Sequence, residues 1–117
     1  MYNALLFLKE QLVDNSTITN EVPAENIYPL IAAAKVDINN FMVFSATREG
    51  RFTKDKAANY NAEVRVFASN LLEAARISDI VEEELTNHNI IFGNGARATF
   101  TEDYKNVYIS LIFTFKI

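Results

Sequence analysis

The chain has 117 residues, half of them hydrophobic and 22% charged, with a net charge of −4. That is one domain of ordinary size with ample material for a core, which excludes global disorder. The absence of cysteine removes disulfides, thiolate metal sites and thiol nucleophiles, and the acidic balance speaks against general binding to nucleic acid or an anionic membrane.

At the N-terminus an apolar patch, Ala4 to Leu8, has no basic residue before it and no small-residue cleavage site, so it does not read as a signal peptide. No apolar run approaches the ~20 residues needed to span a bilayer. The expectation is a soluble protein made in a cytoplasm. Residues 2–14 have helical spacing, with Leu5, Leu8 and Leu12 on one face, widened by Leu6 and Val13. "DNSTITNE" (14–21) then breaks the helix with side chains that compete for backbone hydrogen bonds. In "IYPLI" (27–31), Pro29 disfavours helix and cannot donate to a sheet, which predicts an edge or a strand end.

"NFMVFSAT" (40–47) reads as a strand, apolar on both faces at its centre. "NAEVRVFAS" (61–69) alternates, with Ala62, Val64, Val66 and Ala68 on a buried face and Glu63, Arg65, Phe67 and Ser69 on a partly wet one. Ser69 or Asn70 caps a helix over 71–85, whose apolar side takes in Leu71, Leu72, Ala74, Ala75, Ile77, Ile80, Val81 and Leu85. Gly93 and Gly95 around Asn94 mark a turn or bulge. "ARATFT" and "NVYISLIFTFKI" flank "EDYK" as a hairpin. In the last strand Val107, Ile109, Leu111, Phe113, Phe115 and Ile117 share one face, opposite Tyr108, Ser110, Ile112, Thr114 and Lys116. The whole predicts a single α+β domain over 1–117, a mostly antiparallel sheet of four to five strands with two helices packed on one face.

Little of this carries chemistry. His88 is the only histidine and has no second His or Cys to complete a zinc site, so it reads as a solvated or helix-capping residue. A serine triad would need a strained nucleophile turn, and no GxSxG is present. Glu82, Glu83 and Glu84 point in different directions on a helix and read as a solvated face, or one turned to a basic partner. "FGNGA" lacks the spacing of a phosphate cradle.

The remaining candidate is "TREGRFTKDKAANY" (47–60), a polar run between two strands. Arg48, Arg51, Lys54 and Lys56 stand against Glu49 and Asp55, with Phe52 the only apolar ring among them. That is thin for a nucleic-acid site and lacks the acids and bases of a catalytic lid. A hairpin loop usually runs 2 to 5 residues, so a connection of this length reads as a mobile loop or as a protein contact that orders on assembly.

Four segments in order resemble the tail-completion, or tail-terminator, proteins of long-tailed bacteriophages: "ALLFLKEQL", "NIYPLIA", "AEVRVFASNLLEAARISDIVEEEL" and "EDYKNVYISLIFTFKI". The resemblance covers nearly the whole chain and departs from the common pattern at Asn39–Asn40, where a proline often precedes the first main strand. It implies a virion protein with no catalysis and no cofactor, whose copies close a hexameric ring on the head-proximal end of the tail tube. The ring ends tube growth and joins the tail to the head. The partners implied are further copies of the chain, the tail tube protein, the head–tail connector protein and the DNA that passes through the ring, with no membrane. Arg48, Glu49, Arg51, Phe52, Lys54, Asp55 and Lys56 then become a candidate protein-contact loop. The alternative is a small dimeric cytosolic α+β module holding a ligand at the helix–sheet edge.

Overall fold

The computed structural model describes residues 1–29, 40–49, 58–100 and 107–117. The N-terminal helix α1 (Tyr2–Val13) buries Ala4, Leu8 and Leu12, one residue per turn, over strands β1 (Ile27–Pro29) and β2 (Phe41–Glu49). Leu5 and Val13 are half-buried at its margin, whereas Leu6, expected on the apolar face, is 39% exposed. The break after α1 is made by Asn15, whose Oδ1 accepts from the backbone N–H groups of Thr17 and Ile18 at 3.0 and 3.1 Å. That bond caps a one-turn helix, α2 (Ser16–Thr19), which places Ile18 in the core. A 3-10 turn (Ala24–Asn26) leads into β1.

Helix α3 (Leu71–Thr86) follows β3 (Asn59–Phe67) and precedes β4 (Ile91–Phe100). Asn70 is its cap: the residue is extended, and its Oδ1 accepts from Glu73 N–H at 2.9 Å. Ala74, Ile77, Ser78, Val81 and Leu85 form its buried stripe over β3, β4 and β5 (Val107–Lys116). Leu71 and Leu72, expected on that stripe, are instead 44% and 83% exposed. Leu71 lies in the first turn, before α3 reaches the sheet, and Leu72 falls on the side of the helix turned away from it.

The five strands are ordered β1-β2-β3-β5-β4. Only β1 pairs in parallel, with β2; every other neighbour is antiparallel. β3 and β4 therefore run the same way on either side of β5, and α3 is the crossover between them. β1 lies at one edge, as Pro29 demanded. β4 lies at the other and is longer than the sequence indicated, because "IFGNG" is part of it. Its pairing with β5 slips between Gly93 and Gly95, leaving Asn94 as the extra residue of a bulge, and Gly95 adopts φ +135°, a conformation that favours glycine. The expected "EDYK" tip lies outside the described residues.

One face of the sheet holds the core, apart from Val43, which is buried on the other. Met42 and Phe44, then Tyr60, Ala62, Val64 and Val66, then Ile109, Leu111, Phe113 and Phe115 face the helices. The alternation expected along β3 and β5 is thus the alternation observed. Among the described residues no element packs on the opposite face, which is where the protein's specific side-chain groupings lie.

Candidate protein-contact surface on the open sheet face

The loop singled out from the sequence is shorter than its composition suggested. Its first three residues, Thr47, Arg48 and Glu49, finish β2, and Asn59 and Tyr60 begin β3, with Arg48 opposite Tyr60 and Glu49 opposite Asn59. Ala58 extends the pairing of β3 with the last strand to the final residue, exchanging hydrogen bonds with Ile117 at 2.9 and 3.2 Å. Polar side chains at a strand's end suit a sheet as well as a loop, so composition placed the boundaries too far out. Arg48 is exposed. Arg51, Phe52, Lys54, Asp55 and Lys56 lie outside the described residues.

The other candidates resolve locally. His88 follows α3, donating its backbone N–H to Leu85 O at 3.1 Å. Its ring is half-buried rather than solvated and meets Phe7 edge-on at 5.4 Å. Glu83 is exposed, and Glu82 and Glu84 flank it on either side of the helix. Among the described residues no group of three or more His, Asp or Glu converges in a way that could hold a metal ion.

A row of rings crosses the open face. Register places Phe41 opposite Phe67 and Phe67 opposite Tyr108, and Tyr28 reaches the row from β1. Phe41 and Phe67 stack at 4.4 Å with an interplanar angle of 4°, and Phe67 and Tyr108 lie 4.7 Å apart. These distances match the ~4.8 Å spacing between strands, so the rings stand upright and turn their faces to one another. At the ends of the row Tyr28 meets Phe41 edge-on at 6.4 Å, and the Arg65 guanidinium of β3 lies 5.3 Å from the Tyr108 centroid. What the row offers to solvent is ring edges.

Beside the rings is a polar group. Glu63 accepts from Arg65 Nε at 2.6 Å and from Ser110 Oγ at 3.0 Å, which satisfies a hydroxyl only 7% exposed at its residue. Arg97, opposite Ser110 on β4, is exposed and has no hydrogen bond or ion pair among the described residues. Together they bound a shallow depression of about 340 Å³ that Thr99 and Tyr108 complete. Two guanidinium groups, one carboxylate and a row of aromatic rings match the composition found in protein interfaces.

Sequence reading missed this surface. The signal was present, since Phe67 and Tyr108 were each placed on the wetter face of their strands. Seeing one surface required the strand order β2-β3-β5, which no local pattern reveals.

The class of fold is therefore an α+β two-layer domain, with a helix layer on one face of a five-stranded, mostly antiparallel sheet. The same fold occurs in a solved chain described as "Virion of native gene transfer agent (GTA) particle", with a TM-score of 0.73, 14% identity and coverage of 92% of this chain and 88% of that one. No protein-family model and no curated protein matches the sequence.

Proposed function

We propose that the protein is a structural, non-enzymatic component of a phage-like virion. In this reading it forms a ring at the head-proximal end of the tail tube, ends tube growth and joins the tail to the head connector. The observation that carries the reading is the likeness over nearly the full length of both chains to a component of a gene transfer agent virion. The order of sequence segments resembling tail-terminator proteins supports the finer placement on the tail. The physics agrees: an assembly protein needs side-chain surface rather than a reactive pocket, and the open sheet face supplies it.

The segment around Arg48, Glu49, Arg51, Phe52, Lys54, Asp55 and Lys56 acts in this proposal as an arm that docks on the tube or the connector. The test is to remove the protein from the producing cell and image the particles. Full heads beside unjoined tails of uneven length are expected. Normally joined particles overturn the proposal. Changing Arg48, Arg51, Lys54 and Lys56 together to alanine should leave the protein folded while blocking joining.

A further inference from the structure

We propose that the open sheet face of one copy receives the outer stripe of α3 from the next, a head-to-tail contact between identical chains. The proposal deepens the ring reading above and rests on it only for closure of the ring.

Charge is the first argument. Helix α3 carries five carboxylates (Glu73, Asp79, Glu82, Glu83 and Glu84) against Arg76, a net −4 equal to that of the entire chain. The rest of the molecule is therefore neutral on balance, and the negative charge is concentrated on one helix. Its buried stripe faces the sheet, so at 3.6 residues per turn the side turned away carries Leu72, Arg76, Asp79 and Glu83, all exposed. Arg76 is already engaged by Glu21 and Glu73. What remains on this stripe is an apolar residue at its start, 83% exposed, and two acids beyond it.

The open face is the complement of that pattern. Its aromatic row meets the needs of Leu72, and Arg97 meets those of Glu83, while Arg65 is held by Glu63 as Arg76 is held by its own carboxylates. The spacings agree. From Leu72 to Asp79 is about 10 Å along a helix rising 1.5 Å per residue, and to Glu83 about 16 Å. With Leu72 seated on Phe41, Arg97 lies three strand spacings across and two residues along, about 16 Å away, which matches the distance to Glu83. The two surfaces lie on opposite sides of a two-layer domain, so the contact cannot be satisfied within a dimer. It repeats from copy to copy until it closes.

The test uses the full chain in sedimentation velocity at low salt. Wild type should associate, and the association should weaken as salt screens the charges. Arg97→Glu places acid against acid, and Glu83→Arg places base against base, so each variant alone should associate at least about tenfold more weakly. An equimolar mixture of the two should recover wild-type association, because every contact between unlike copies again joins opposite charges. Both residues are exposed, and circular dichroism should show each variant folded; Arg97→Gln and Glu83→Gln are milder substitutes if either reversal disturbs folding. Reversals without effect, or a mixture no better than its parts, overturn the contact. A wild-type chain that stays monomeric at low salt also overturns it, while the ring at the tail end is judged separately by imaging. A dimer that never grows counts against both.

Discussion

On β3, Ala62, Val64 and Val66 point under the helices and are shielded from solvent, while Glu63, Arg65 and Phe67 alternate with them onto the face that no described helix covers. The same strand thus builds two surfaces with different rules. Beneath the helices every position asks for apolar volume, and neighbours can compensate for one another. On the open face the residues act in particular pairs: ring on ring, guanidinium on carboxylate, hydroxyl on carboxylate. Stability should reside on the first face and recognition on the second, so substitutions can be arranged to break that division.

The largest effect should come from Phe113→Ala. Phe113 is 1% exposed at the centre of the covered face, and truncating a buried phenylalanine costs about 3–5 kcal/mol through lost transfer energy and the cavity left behind. Urea unfolding measures it directly. Phe67→Ala removes the middle ring of the open row, which loses two ring pairs worth about 0.5–1.5 kcal/mol each and some half-buried area, about 2 kcal/mol in total. Phe67→Leu retains apolar volume and should recover roughly half of that. If Phe67→Ala proved more destabilising than Phe113→Ala, the open face would belong to the core and the division would fail.

The covered face was open to sequence reading and the other was not, for a physical reason. Burial under a helix imposes an unbroken apolar stripe, and the period of two along "NAEVRVFAS" and "NVYISLIFTFKI" displays it without knowledge of neighbours. The helix over 71–86 and its Asn70 cap were equally local. The ring row depends on β5 lying between β3 and β4, a long-range fact set by the crossover of α3. The strand ends at Glu49 and Asn59 escaped because polar residues at the margin of a sheet look like loop. Leu71 and Leu72 misled in the opposite direction: apolar residues in the first turn of a helix look like core, and only the angle of the helix on the sheet exposes them.

Asn70→Ala tests the junction between the two faces, since the cap fixes where β3 ends and α3 begins. It leaves the Glu73 N–H without its side-chain acceptor and should cost about 1 kcal/mol. The loss should appear as earlier thermal unfolding with no change in self-association. An equal loss of association would mean that the start of α3 is held by the contact rather than by its cap.

The smallest effect is expected on the outer surface of the helix layer, where Arg76 bridges Glu73 in its own helix and Glu21 in the preceding loop at 2.7 Å. The hydrogen bond from Arg76 is the main cause that holds both carboxyls below their ordinary value of 4.5, against a smaller opposing effect of burial. A carboxyl whose folded value is depressed binds its proton more weakly in the folded chain. Its stabilising effect is therefore complete above 4.5 and fades as the pH falls through the depressed folded value. Arg76→Met preserves the aliphatic stem and removes the charge. Because the group is exposed and solvent-screened, the loss at neutral pH should be smaller than that of the cap. The urea midpoints of wild type and variant should then converge as the solution is acidified. A gap that stays constant through the acid range would show that Arg76 stabilises the fold by something other than its pairing with these two carboxylates, and the outer stripe of α3 would have to be regarded as part of the fold rather than as a surface free for assembly.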